Sequence, residues 1–283
     1  MIIFQTPSEM AEWSFQERKS GLSIGFVPTM GALHHGHIAL IQQSISQQDR
    51  TVVSIFVNPL QFNSAADLKS YPRQFETDSK LLTETKIDVL YAPSADVMYP
   101  QGFATSISAG TIAHSMEGLH RPGHFDGVAT VVSKLLNSVM PTVAYFGNKD
   151  FQQVAVIRQV VKDLDIPCQI VGAQTVRDSD GLALSSRNVR LTAEHRVQAP
   201  MIYQLLEEIR GIFTAGTTDA QILKKQFLTL ESCADAMVEY FEVVDSRSLI
   251  SKSEADDSCT ICVAVWFGDV RLIDNISLAQ NFA

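Results

Sequence analysis

The chain has 283 residues, 46% of them hydrophobic and 19% charged, which suits one large globular domain or, more readily, two of ordinary size. Its formal charge is −9 with no run of Lys or Arg, so the cationic surface on which nucleic-acid binding rests is not expected. No apolar stretch reaches bilayer length, and the opening Met1-Ile-Ile-Phe lacks the basic region and longer apolar core of a signal peptide, so a cytoplasmic protein with no membrane partner is expected.

Taken in order, Ser23–Val27 is a short apolar run that reads as a buried strand. From His37 the spacing of Ile38, Ile41 and Ile45 predicts a helix. Between them lie Pro28, Gly31 and Gly36, residues that let a chain turn sharply and bring backbone close to a ligand. A strand that feeds such a turn and then a helix N-terminus is an anion site, because backbone N–H groups and the helix dipole point the same way. His34 and His37, three residues apart, stand side by side there, where one phosphate oxygen reaches both. The stretch contains neither the dinucleotide glycine fingerprint nor a Walker loop.

Thr51–Val57 is β-branched and nearly continuous, as in a strand covered on both faces. A helix is expected from Pro72, a third strand at Asp88–Tyr91 and an extra strand or extended insertion over Phe103–Ala109. Val128, Val131, Val132, Leu135, Leu136 and Val139 keep helical spacing from His124 onward. Thr142–Phe146 reads as a strand, Asp150–Leu164 as a helix and Pro167–Val171 as a closing strand. This alternation implies a parallel, Rossmann-like α/β sheet with right-handed crossovers, whose ligands collect beyond the carboxyl ends of the strands. The loops after the first, second and Phe146-terminated strands are therefore expected to face one crevice.

From about Thr175 the pattern changes. Turn-rich Arg177–Gly181 and Leu182–Asn188 precede helices over Thr192–Phe213 and Thr218–Leu230, then strands over Tyr240–Val244, Thr260–Phe267 and Val270–Ile276. Gly268-Asp269 is a two-residue hairpin signal between the last two. The reading is thus a 1–175 Rossmann-like domain followed by a smaller α+β lid domain over 176–283. Cys168, Cys233, Cys259 and Cys262 are few and irregular, as in a reducing compartment. Cys259-x-x-Cys262 lacks a second pair to complete a zinc set and reads as part of a buried strand, so no protein-built metal site is expected.

Several polar residues fall at strand ends. Lys149 in Gly147-Asn-Lys-Asp150 offers a point charge to phosphate. Ser185, Ser186 and Arg187 bring two hydroxyls and a guanidinium to a loop that could close over a triphosphate. Gln61 and Gln153 carry neutral amides suited to a ligand with both a carboxylate and a hydroxyl. Arg121 and His124 open another loop-to-helix entry and are candidates, Arg121 as a substrate-binding residue. No Ser-His-Asp or Cys-His set is evident, so covalent catalysis by the protein is not expected.

His34-x-Gly-His37 after a first strand resembles the signature of the nucleotidylyltransferase superfamily. The longer set is more specific: Pro28-Thr-Met-Gly-Ala-Leu-His-x-Gly-His37, Phe56-Val-Asn-Pro-x-Gln-Phe62, Tyr71-Pro-Arg73, Arg121-Pro-Gly-His-Phe-x-Gly-Val128, Thr130-Val-Val-x-Lys134, Lys149-Asp-Phe-Gln-Gln153 and Ser185-Ser-Arg-Asn188 occur in that order. Together they resemble the pantoate–β-alanine ligase family. That resemblance implies an ATP-dependent amide synthesis through pantoyl adenylate, with pantoate, β-alanine and ATP as substrates, Mg2+ held mostly by ATP oxygens, and a homodimer formed through the N-terminal domain. Carried over by position, Met30, Gly31, Ala32, Leu33, His34, His35, Gly36 and His37 line the ATP site, and His37 is the proton donor. Gly147, Asn148, Lys149, Asp150, Val176, Leu184, Ser185, Ser186 and Arg187 complete it. Gln61 and Gln153 hold pantoate, with Gln61 also near β-alanine, and Thr29, Met30, Val131 and Val132 wall its gem-dimethyl group. Asp78 is a candidate outer-shell partner of the metal. Asn148 and Leu184 depart from the family's usual Glu and Met. Competing readings are a nucleotidylyltransferase with a stable nucleotidyl product and a catalytically silent nucleotide binder; pantoate-dependent pyrophosphate release with amide formation separates them.

Overall fold

The computed structural model describes residues 1–279. Residues 1–148 and 153–174 form one compact unit, and Lys149–Gln152 with the chain from Thr175 onward form a second.

The first unit begins with β1 (Ile2–Phe4) and α1 (Pro7–Lys19), then β2 (Ile24–Thr29), α2 (His35–Gln47) and β3 (Arg50–Ile55). Short α3 (Ala65–Ser70) and longer α4 (Phe75–Thr85) lead to β4 (Val89–Tyr91) and α5 (Ala95–Met98). Then follow α6 (Met116–His120), α7 (His124–Val139), β5 (Val143–Gly147), α8 (Phe151–Asp163) and β6 (Gln169–Ala173). All six strands are parallel, in the order β1-β4-β3-β2-β5-β6. The chain runs from β2 outward through β3 to β4, then returns to build β5 and β6 on the other side. Strand order therefore reverses beside β2, and the carboxyl ends of β2, β3 and β5 are where such a Rossmann-like sheet takes ligands.

Alternate strand residues serve two cores. Phe26, Val52, Val89, Tyr91 and Phe146 pack with Met10 of α1 and with Val128, Val132, Leu135 and Leu136 of α7. Val27, Val53, Leu90, Val143 and Tyr145 pack with Leu40 and Ile41 of α2 and Leu82 of α4. A strand with both faces covered must be apolar at consecutive positions, which is the pattern seen in β2 and β3.

Local differences from the sequence reading have local causes. β1 and α1 precede the strand that hydrophobicity marks first. β1 is three residues long with Ile2 and Ile3 exposed, and α1 buries only Met10 and Ser14, so neither carries a strong periodic signal. The start of α1 is nonetheless written in a Thr6/Glu9 capping box followed by Pro7. α2 begins at His35 with His34 as its cap. Pro72 does not start a helix: Tyr71, held extended before a proline, ends α3, and α4 begins at Phe75. Residues 103–109 form an irregular insertion and no strand.

The second unit has α9 (Ala193–Gln198), α10 (Met201–Thr214), α11 (Ala220–Phe227) and α12 (Leu230–Cys233), then β7 (Met237–Asp245), β8 (Cys259–Phe267) and β9 (Val270–Ser277) in one antiparallel sheet. The single helix expected over Thr192–Phe213 is divided at Ala199-Pro200, where proline offers no N–H to continue the ladder. Ile202, Leu206 and Ile209 of α10, Leu223 and Phe227 of α11, and the odd-numbered residues of β8 form its core. Gly268 turns the last hairpin at φ +54. Cys259 and Cys262 are three apart on β8, so they point to opposite faces and cannot share a metal; Cys259 belongs to the core cluster and both are buried. No helix among the described residues is long and apolar enough to cross a membrane.

Candidate active site

The turn after β2 is held by a buried carboxylate that comes from another part of the chain. Gly31 and Ala32 both adopt left-handed backbone, at φ +79 and +52. This turns the next two amides inward, where Ala32 N–H donates to Asp78 Oδ2 at 2.8 Å and Leu33 N–H donates to Asp78 Oδ1 at 2.9 Å. A Cβ on Gly31 would stand 3.0 Å from Asp78 Oδ2 and 3.2 Å from Ile55 Cγ2, so glycine is needed there for space as well as for φ. Thr29 closes the near side: its hydroxyl donates to Ser54 O at 2.7 Å and accepts from Gly31 N–H at 3.1 Å.

His34 and His37 follow directly. Their ring centroids are 4.0 Å apart. His34 caps α2 by accepting Gly36 N–H on Nδ1 at 3.2 Å, and His37 Nδ1 accepts His34 N–H at 3.3 Å. A neutral imidazole whose Nδ1 accepts must carry its proton on Nε2. Both rings thus present Nε2–H, a donor suited to phosphate oxygen. The amides of Gly31, Ala32, Leu33, His34 and Gly36 have internal acceptors. The anion-binding capacity expected of these backbone groups therefore falls largely to the two imidazoles. His35 is exposed on the first turn of α2.

The loop after β3 supplies Gln61, buried in a 3-10 turn (Pro59–Gln61). Its Nε2 lies 3.2 Å from Met30 Sδ, which brings this loop against the turn after β2. Asn58 Nδ2 donates to Gln61 Oε1 and to Gly127 O, each at 3.0 Å. Gly127 of α7 packs so close to this turn that a Cβ would stand 2.3 Å from Leu60 O. The Gln61 carbonyl is held too: His124 Nδ1 lies 2.7 Å away and must donate, and Arg121 Nη2 donates from 3.4 Å. His124 Nε2 is then left to accept from Arg121 Nη1 at 3.3 Å, while Glu117 lies 3.7 Å from that guanidinium. Arg121 is thus engaged with the supports of Gln61. Val131 and Val132 are buried on α7 within the core beneath. Gly147 ends β5 and Asn148 opens the 3-10 turn that follows (Asn148–Asp150), with Asn148 Nδ2 donating to Gly172 O at 3.2 Å, and Gln153 is half-buried on the first turn of α8.

The second unit carries the remaining candidates. Lys149 Nζ lies 3.5 Å from Asp150 Oδ1, and Lys149 O accepts Asn275 Nδ2 of β9 at 3.0 Å. The neighbouring Asp274 receives both arms of Arg177, at 2.6 and 2.8 Å, and the Arg177 guanidinium lies 3.5 Å over the Tyr203 ring. Arg177 pairs with Ala183 across a short bridge, and Leu184 N–H donates to Val176 O at 3.0 Å, so the loop from Val176 to Leu184 folds back on itself. Ser185 Oγ accepts Arg187 N–H at 3.3 Å, and Ser185, Ser186 and Arg187 remain half-buried. Two adjacent β9 residues therefore anchor both the Lys149 segment and the 176–187 loop.

Asp78, Asn58, Asp274 and Asn275 are residues that sequence reasoning passed over or saw only as minor. Asn58 lies inside the Phe56–Phe62 motif, and a polar residue straight after a buried strand was its available signal.

Comparison with known proteins completes the picture. A family model described as pantoate-beta-alanine ligase matches residues 2–277. A pantothenate synthetase of Chelativorans sp. is 45% identical over 278 residues, covering 98% of each chain. One from Porphyromonas gingivalis is 46% identical, covering 98% of this chain and 99% of that one. The crystal structure of pantothenate synthetase from Thermus thermophilus superposes with a TM-score of 0.91 at 41% identity, covering 99% of this chain and 100% of that one. The pantoate-beta-alanine ligase of Francisella tularensis, solved as a complex with beta-gamma ATP and beta-alanine, gives 0.83 at 38% identity, covering 98% of both. With its parallel sheet, its His34–His37 turn and its held Gln61, this chain belongs to the pantoate–β-alanine ligase family.

Proposed function

We propose that this chain condenses pantoate with β-alanine at the expense of ATP, through a pantoyl adenylate. A pantoate carboxylate oxygen attacks the α-phosphorus of ATP and the α–β bridging bond breaks, releasing pyrophosphate. The β-alanine amine then attacks the acyl carbon, loses a proton and expels AMP. Neither step needs a nucleophile from the protein; both need positioned reactants and donors aimed at phosphate oxygens as charge develops.

The observation that carries this reading is the His34–His37 pair, whose Nδ1 atoms are both committed to backbone amides so that both Nε2–H groups serve as donors. In this assignment the two imidazoles hold ATP phosphates, and His37 directs its Nε2–H as a hydrogen-bond donor toward the leaving oxygen, where charge develops. Lys149, Ser185, Ser186 and Arg187 bear on the polyphosphate, and Met30–His37, Gly147–Asp150, Val176 and Leu184 frame the nucleotide. Gln61 and Gln153 bind pantoate polar groups, and Thr29, Met30, Val131 and Val132 wall its methyl groups. Arg121 acts through the Gln61 carbonyl.

Mg2+ belongs to this reading as the partner of the ATP phosphates. Among the described residues no group of three His, Cys, Asp or Glu side chains is placed to hold a metal, and both Asp78 oxygens already accept backbone amides. A donor set of that kind fits Mg2+ carried by phosphate oxygens and water rather than by a protein cage. When bound, the ion neutralises phosphate charge. A cytoplasmic homodimer completes the reading, and light scattering at twice the mass of one chain tests the dimer.

The deciding assay supplies ATP, pantoate and β-alanine to the purified chain. Pyrophosphate release should require pantoate, and AMP and the amide should appear only when β-alanine is added. Pyrophosphate release without pantoate, or a stable nucleotidyl product when β-alanine is present, would overturn the assignment.

A further inference from the structure

Asn58 stands between two backbone groups that leave its amide one orientation. Leu60 N–H can only donate, and it lies 3.3 Å from Oδ1. Gly127 O can only accept, and it lies 3.0 Å from Nδ2. Reversing the amide would set oxygen against oxygen and N–H against N–H. The constraint passes to the next side chain. Gln61 Oε1 accepts from Asn58 Nδ2, so the opposite end of that amide is the NH2 group, beside Met30 Sδ.

Tyr99 fixes the far side of the same chain of bonds. Its hydroxyl lies 2.7 Å from Asn58 Oδ1, an acceptor, so it donates. The ring is walled by Phe56 and Phe103, at centroid distances of 6.1 and 5.0 Å, and Lys134 Nζ lies 5.9 Å from its centroid. Burial raises the Tyr99 pKa well above that of a free phenol, so the hydroxyl keeps the proton it donates.

We propose that Tyr99 and Asn58 are positioning residues that hold Gln61 as an obligate hydrogen-bond donor, so that the substrate group against it is a carboxylate or hydroxyl oxygen and never an ammonium. This rests on the ligase reading above. It restricts β-alanine as well as pantoate: the amino acid can approach Gln61 only with its carboxylate, which sends its amine the other way. A site whose polar group is locked as a donor rejects a ligand that brings another donor, because both are then left unpaired.

The test is steady-state pyrophosphate release with pantoate and ATP varied in turn. Tyr99→Phe keeps the ring and removes the donor, and it should raise the pantoate KM about tenfold while the ATP KM stays within about twofold. Asn58→Asp replaces the NH2 that serves Gln61 by an oxygen, which turns the Gln61 amide over; pantoate kcat/KM should fall at least about 100-fold. Gln61→Glu is nearly isosteric, satisfies Asn58 and presents only an acceptor, so it should lose as much as Asn58→Asp. A Gln61→Glu variant with an unchanged or lower pantoate KM overturns the proposal, as does Tyr99→Phe with an unchanged pantoate KM. Side-chain amide signals in 1H–15N spectra provide a readout independent of turnover. Tyr99→Phe should shift those of both Asn58 and Gln61, and unmoved signals overturn the relay. An unaltered chain that releases no pantoate-dependent pyrophosphate refutes the ligase reading instead.

Discussion

Replacing Asp78 by Asn tests how the nucleotide turn is held. The two side chains have nearly the same shape, but Asn has one oxygen where Asp has two. In the native protein Ala32 N–H and Leu33 N–H each point at a different carboxylate oxygen, at 2.8 and 2.9 Å, and the residue is 2% exposed. In Asp78→Asn one of these amides must face an NH2 group, and a buried donor left without an acceptor costs about 1–3 kcal/mol. The surviving bond also loses its charge assistance, worth about 1 kcal/mol more. The sum, about 2–4 kcal/mol, falls on two consecutive left-handed residues that have little reason to keep that conformation otherwise. Thermal unfolding should show a Tm lower by about 4–10 °C. Below that Tm, the ATP KM in pantoate-dependent pyrophosphate release should rise while the pantoate KM changes little. Asp78→Ala, which orphans both amides, should be worse on both counts. A Tm within about 1 °C of the native value together with an unchanged ATP KM would refute the idea that this carboxylate shapes the turn.

Other expectations concern single groups. His37→Ala and Lys149→Ala should each slow adenylation by about 100-fold or more, because each removes a donor aimed at developing phosphate charge; circular dichroism and near-native turnover are the check and the refutation. Arg177→Lys cannot reproduce the two-armed contact to Asp274 or the stacking on Tyr203, and Arg177→Met leaves the buried Asp274 carboxylate unpaired, at about 3–5 kcal/mol in denaturant titration. Burial pushes the Cys168 thiol up to about 12, partly offset by the Ala144 backbone N–H, which donates toward the sulfur. Its folded-state value lies above the unfolded one, so its contribution to stability is intact below about pH 9 and is lost as pH rises from there toward 12. At pH 9 a thiol reagent should label Cys168 far faster in urea than in the native protein.

The parallel sheet was legible because alternating apolar runs and helical spacing are local patterns, and β2 and β3 keep them without interruption. The imidazole pair was legible for the same reason: its geometry follows from a three-residue spacing at a helix start. Asp78 was hidden because its role depends on a contact 46 residues away in the chain, which leaves no periodic trace. Its sequence context suggests only an outer-shell partner of a metal, whereas both its oxygens accept backbone amides of the turn. The amide chain from Tyr99 through Asn58 to Gln61 joins residues 41 and then 3 apart, and only the spatial arrangement reveals which end of each amide is which. The β9 anchors were missed because Asp274 and Asn275 read as ordinary polar positions of an edge strand.

That edge strand has a consequence for how the gene product tolerates shortening. Because Asp274 and Asn275 tie down Arg177 and the Lys149 carbonyl, a protease nick or premature stop just before Val270 would unfasten two distant loops at once. The six-stranded sheet, built entirely from residues before 174, has no strand in common with the lost piece. Such a truncation product would still hold its pair of imidazoles while its lysine and arginine loops came adrift.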